Sequence, residues 1–179
     1  MRVIGLLLPK LREVIEVSVR NYLDGDHESM SGNIRLAVID DVNDIKCVVN
    51  AAYSHYMPII GCKPGPMVDN YDISIGMGRV YVIECDKVIQ GVLVLIMNDA
   101  ELLLDNIAVA PSAQGRGLGR KMLEFAERTA VAAGCRFIRL YTNEAMVENL
   151  SLYHRIGYSE THRAEEKGLR RVYMVKPVA

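Results

Sequence analysis

The sequence predicts an α/β (α+β) domain on a single mixed, mostly antiparallel sheet, and three observations carry that expectation. Two pairs of strand-like runs flank short polar turns and read as hairpins: Arg79 to Cys85 with Val88 to Met97, and Tyr158 to Arg163 with Arg170 to Lys176. An apolar run to Val109 leads into a helical pattern and then into Phe137 to Tyr141, a strand–helix–strand crossover that makes two strands parallel. At 179 residues, 50% hydrophobic and 24% charged, the chain can bury one real core and has an ordinary globular profile.

Residues 1–32 read as an N-terminal helical extension and linker, and 33–177 as the domain itself. In the extension Leu7, Leu11, Val14, Ile15, Val19, Tyr22 and Leu23 recur at helical spacing before the polar Gly25 to Ser29. That stripe is expected to pack on the domain or on a second subunit. Ile34 to Val38 alternates as a short strand. Asp40-Asp41 then caps a helix from Val42 to about Tyr53, with Ile45, Val48, Val49 and Ala52 on one face. Proline and glycine density makes Tyr53 to Pro66 irregular chain, and Met67 to Ile75 reads as a second short helix. Asp86-Lys87 turns the first hairpin, and Asn98-Asp99 turns the chain into the strand Glu101 to Val109. Leu118, Met122, Phe125, Ala126, Thr129 and Ala133 form the buried stripe of the next helix, which Gly134 ends. A last helix from Met146 closes at Gly157.

Between that strand and helix lies Gln114-Gly115-Arg116-Gly117-Leu118-Gly119. Alternate glycines leave the backbone bare, and the first amides of a helix have no internal partner and sit at its positive end. Together they make an anion site suited to phosphate or diphosphate, with Arg116, Arg120 and Lys121 adding full charge. A Walker loop would need Gly-Lys-Ser/Thr, where Gly119-Arg120-Lys121-Met122 stands. A dinucleotide fingerprint would need glycine at position 120.

What fits is Gln/Arg-x-x-Gly-x-Gly/Ala, and on it the sequence resembles the GNAT superfamily of N-acetyltransferases. Leu152-Tyr153 followed by Gly157-Tyr158 is similar to the superfamily's Leu-Tyr-x-x-x-Gly-Phe/Tyr signature, in the expected order. The resemblance covers about residues 33 to 177. It implies the acyl-CoA N-acyltransferase fold, in which the central parallel pair splays apart and helices cover both faces. It further implies acetyl-CoA as cosubstrate, with the diphosphate on Gln114, Gly115, Arg116, Gly117, Leu118, Gly119 and Arg120. The pantetheine arm would pair with the backbone of Ile107 and Val109, and an amide near Ile107 or Ala108 would face the thioester carbonyl. Tyr153 would be the general acid. Its ordinary pKa of about 10 against about 8.5 for a thiol makes proton delivery mildly uphill in water, so positioning must help. Many relatives carry an asparagine seven residues before that tyrosine. Met146 stands there, and Asn149 or Asn143 is left to substitute.

By the same resemblance the region between the first two strands overhangs the acetyl end. Tyr53, Tyr56, Tyr71, Asp69 and Asp72 are therefore acceptor-site candidates, and Asp105, on the strand before the glycine loop, is a further acidic one. The general base stays open. The position of the glutamate some relatives use holds Leu103. Glu101 and Asp105 share a parity only if the strand is regular, Glu84 is a further carboxylate, and ordered water is the remaining route. His55 and His154 lack a carboxylate at a readable spacing and read as boundary histidines.

A net charge of −1 argues against nucleic-acid and membrane-surface partners. The four cysteines form no Cys-x-x-Cys pair, which argues against zinc, and no metal is expected; reduced thiols place the protein in the cytoplasm. Pro9-Lys10 breaks the apolar run from Met1 too soon for a signal peptide. The expectation is an acetyl-CoA-dependent N-acetyltransferase acting on a primary amine of a small molecule or a protein, with a homodimer compatible with the fold. The alternative is a non-catalytic CoA-binding sensor or interaction module on the same fold.

Overall fold

A computed structural model describes residues 32–178 except 99 and 167, so the extension over 1–31 lies outside the described residues. Seven strands form one sheet: β1 Asn33–Leu36, β2 Val80–Cys85, β3 Val88–Asn98, β4 Glu101–Val109, β5 Phe137–Asn143, β6 Ser159–Glu166 and β7 Leu169–Pro177. Their spatial order is β1-β2-β3-β4-β5-β7-β6, and β4 with β5 is the parallel pair. Helices α1 (Val42–Tyr53), α2 (Met57–Ile60), α3 (Tyr71–Gly76), α4 (Leu118–Ala132) and α5 (Val147–Arg155) pack around it. None of these helices is long and apolar enough to cross a membrane.

Two cores sandwich the sheet. On one face α4 buries Leu118, Met122, Phe125, Ala126 and Ala130 against Tyr81, Ile83, Leu93, Leu102 and Ile138. On the other, α1 buries Ile45, Val48, Val49 and Ala52 against Val80, Val82, Val92 and Ala108. A side chain of the size of Phe125 or Met122, fully withdrawn from water, contributes about 1.5–3 kcal/mol. The fit of α4 on the sheet depends on Gly91. A Cβ there would stand 2.7 Å from Ile83 Cγ2, 2.9 Å from Met122 Cε and 3.0 Å from the Ala108 carbonyl oxygen. Gly91→Ala is expected to lower unfolding stability by about 1–3 kcal/mol in chemical denaturation, because a backbone atom cannot step aside as a side chain can.

The segment expected to be one helix from Met67 to Ile75 is instead a 3₁₀ turn, Gly65–Met67, followed by α3. Asn70 divides them: its side chain accepts the Ile73 amide at 3.2 Å and starts a new helix. The stretch after Tyr53, expected to be irregular, holds the 3₁₀ turn Ser54–Tyr56 and then α2, closed by Gly61.

What positions the site is a bulge in β4. Val94 pairs with Asn106 and Leu95 with Leu104, so Asp105 is skipped. The side chains change faces there. Leu102 and Leu104 lie in the α4 core, whereas Ala108 lies in the α1 core, and Ile107 and Val109 pack on the α4 side. Bulges bend a strand. Beyond this one β4 leaves β5: the parallel pairing covers only Glu101–Leu104 with Phe137–Leu140, while β4 runs on to Val109 and β5 to Asn143. The central pair is splayed.

Candidate active site

The glycine loop ends in an uncapped helix. Gly115 and Gly117 adopt φ of 76° and 82°, a region L-residues avoid, and nothing lies within 4 Å of where their Cβ atoms would be. Gly117 is the N-cap of α4 and offers no side-chain cap. Lys121's amide bonds the Gly117 carbonyl at 3.0 Å. The amides ahead of it, those of Leu118, Gly119 and Arg120, are the orphan donors of a helix start. Exposed amides, bare backbone and the dipole's positive end fit a diphosphate. Arg116 is exposed beside the loop and Arg120 pairs with Glu124 at 2.9 Å. Lys121, expected to add charge here, instead reaches the Gly32 carbonyl at 2.7 Å.

From the loop the splay leads inward along β4. The Ala110 amide bonds Gln90 on β3 at 2.8 Å, so 110, 108 and 106 turn their backbone groups to β3 and 109 and 107 turn theirs to the gap. The carbonyls agree: that of Val109 accepts Gln114 Nε2 at 3.2 Å and that of Ile107 accepts the Tyr53 hydroxyl at 3.3 Å. Of the two amides considered for a thioester carbonyl, Ile107's faces the gap and Ala108's faces β3. The gap-facing amides of Ile107 and Val109, beyond the reach of the β5 pairing, need a partner, and an extended amide-bearing chain is one.

The gap opens into a cleft of about 130 Å³ between β4 and β5, walled by Tyr53, Asp69, Asp105, Asn106, Tyr141, Asn149, Tyr153 and Arg171. Tyr153 is 7% exposed and makes an edge-on contact with Tyr158 at 5.7 Å. No hydrogen bond from a described residue holds its hydroxyl. Burial, with Tyr56 nearby, pushes its pKa up to about 12. It is therefore a protonated phenol at neutral pH, free to donate into the cleft.

Asn106 is 2% exposed, and its amide is satisfied on both sides. Tyr53 Oη donates to Asn106 Oδ1 at 2.7 Å, Asn106 Nδ2 donates to Tyr71 Oη at 3.0 Å, and that hydroxyl donates to the Pro66 carbonyl at 2.9 Å. This chain ties α1 and the 65–67 turn to the bulged strand. A buried polar chain with every member paired rigidifies what it joins. Across the cleft the Tyr141 hydroxyl donates to Asp105 Oδ1 at 2.7 Å. Asp69 sits on the concave wall; burial, then the charge of Asp105, raises its pKa.

Among the acceptor candidates, Tyr53 and Asp105 line the cleft, as does Asp69. Tyr71 stands behind Asn106, and Tyr56 packs at a tilt on His55 at 3.9 Å; neither is part of the lining. Asp72 reaches Lys46 at 3.5 Å. The shared parity of Glu101 and Asp105 fails at the bulge, and Glu101 is held by Arg139. Glu84 is bound at 2.9 Å by Arg35, which also grips Asp41 and holds that carboxyl below its usual range. Asn143 and Asn149 both line the cleft; Asn143 Oδ1 accepts the Ala145 amide at 2.9 Å, and Asn149 Nδ2 reaches Met146 Sδ at 3.6 Å. Asn106, Tyr141 and Arg171 escaped the sequence reading. The polar pair Asp105-Asn106 inside an otherwise apolar strand was the signal that could have found the bulge.

Residues 76–160 match the family model described as an acetyltransferase (GNAT) domain. That match spans just under half of the chain. The matched span contains the glycine loop, the splayed pair and Tyr153, while Tyr53 and Asp69 lie before it. Among solved structures the chain is similar to the ribosomal-protein-S18-alanine N-acetyltransferase of Escherichia coli, at 17% identity and TM-score 0.68 over 82% of this chain and 93% of that one. It is similar to the PaiA N-acetyltransferase of Thermoplasma acidophilum, a complex with coenzyme A, at 17% identity and TM-score 0.68 over 83% and 99%. It is also similar to nourseothricin acetyltransferase, at 18% identity and TM-score 0.64 over 83% and 99%. At these identities the likeness shows the GNAT fold. No curated protein matches the sequence significantly.

Proposed function

We propose that this GNAT domain moves an acetyl group from acetyl-CoA to a primary amine by direct attack. The observation that carries this reading is the continuity of the site. An uncapped helix tip, a strand edge that has left its neighbour and a buried phenol with no hydrogen-bond partner among the described residues follow one another along a single gap. The amides from Gly117 to Arg120 hold the diphosphate, and the edge of Ile107 and Val109 aligns the arm. The Ile107 amide, fixed in a strand, steadies negative charge developing on the carbonyl oxygen. As the neutral amine nitrogen bonds to the carbonyl carbon and the C–S bond breaks, Tyr153 gives its proton to sulfur; the nitrogen sheds one proton to water, and water returns one to the phenolate. From the buried phenol at about 12 to a thiol at its value in water, about 8.5, that transfer would be uphill by about 5 kcal/mol. Burial that raises the phenol raises a thiol in the same place, so the gap inside the site is smaller.

Thiol release from acetyl-CoA with a panel of primary amines tests the reading. Amine-dependent release at a rate well above hydrolysis is the expected result. Tight coenzyme binding without release for any amine favours the sensor instead.

A further inference from the structure

The acceptor end of the cleft has a charge pattern that says more about the amine than its presence. Resting on the acetyltransferase reading, we propose that the cleft selects amines with no carboxylate beside the reacting nitrogen, holding the ammonium between Asp69 and Asp105. Among the described residues three charged side chains line the cleft: Asp69, Asp105 and Arg171. The two carboxylates come from different walls, Asp105 from the bulge of β4 and Asp69 from the loop before α3. Tyr141 occupies Asp105 Oδ1 at 2.7 Å and leaves the second oxygen for a donor. Among the described residues Arg171 is the one cation of the lining, and it already has partners. Its guanidinium lies 4.3 Å over the Tyr141 ring, and Nη1 bonds Glu166 Oε2 at 2.9 Å. A substrate carboxylate would meet two like charges and a cation already paired with Glu166, whereas an ammonium meets both carboxylates. The mutual effect of the acids is visible in Asp69, whose pKa is raised by burial and then by Asp105. Independently of the acids, the partnerless Tyr153 hydroxyl, on a side chain 7% exposed, faces this cleft and marks where the reacting atoms lie.

Matched pairs that differ only by the carboxylate test this: agmatine against arginine, and tyramine against tyrosine. The expected kcat/KM favours the decarboxylated member by at least about tenfold, since like charges at contact distance in a partly buried site repel by several RT. Asp69→Asn and Asp105→Asn should raise KM for agmatine and narrow the preference, at unchanged melting temperature. Equal or reversed preference in the unmodified protein overturns the proposal, as does an unchanged KM in both variants. If no amine is acetylated the transferase reading fails, and the same pairs are then ranked by calorimetric affinity for the CoA-saturated protein. Tighter agmatine supports the cleft's selectivity in that case; equal affinities, or none, overturn it.

Discussion

Tyr153→Phe lowers acetyl transfer by about 10²-fold or more while leaving acetyl-CoA affinity within about threefold. The ring stays in place, because its packing against Tyr158 and the α4 core does not involve the hydroxyl. What is lost is the proton for the departing sulfur. Single-turnover kinetics beside calorimetric binding separate the two effects, and unchanged turnover removes Tyr153 from the mechanism. The same variant has a pH signature. The folded pKa of about 12 lies above the unfolded value of about 10, so the phenol's contribution to stability is complete below pH 10 and is lost as pH rises towards 12. The unmodified protein should therefore lose stability more steeply than Tyr153→Phe over that window, and denaturant titrations at successive pH values read the difference.

Gly117→Ala weakens coenzyme binding by more than about tenfold, roughly 1.4 kcal/mol, and costs about 1–2 kcal/mol of stability. A φ of 82° is unstrained for glycine alone, and relaxing it turns the first amides of α4 away from a common point. Loss of folding cannot mimic the affinity change, since a domain with 5–15 kcal/mol of stability remains folded after this loss. Gly119→Ala is the contrast. Its Cβ would sit an ordinary 3.7 Å from Val109 Cγ2, and alanine is the better helix former. That variant should bind CoA nearly as well and melt no lower. Calorimetry and thermal unfolding of the two proteins check both halves.

The parts legible in sequence are those where local pattern and burial coincide. The helical period from Val42 ended at Tyr53 as read, and Glu101 to Val109 is the observed β4. Gly115 and Gly117 announced backbone that only glycine holds easily. The bulge was illegible in advance because skipping one residue depends on the partner strand's register, which no spacing within β4 records. It moved Asp105 out of step with Glu101 and turned Asn106 inward, where Tyr53 and Tyr71, distant in sequence, satisfy it. Tyr141 and Arg171 became site residues for a similar reason: β7 lies beside β5 and brings Arg171 over the Tyr141 ring. Lys121 was assigned to the loop by proximity along the chain, and one further helical position turned it to Gly32.

The central claim is that the open tip of α4 grips the diphosphate of coenzyme A, and amide NMR reads it directly. On adding CoA, the ¹H–¹⁵N resonances of Gly117, Leu118 and Gly119 should show the largest downfield shifts in the protein, and S-acetylpantetheine, which lacks the diphosphate, should leave them nearly unmoved. Saturable CoA binding with those three amides unshifted would place the coenzyme elsewhere and contradict the account.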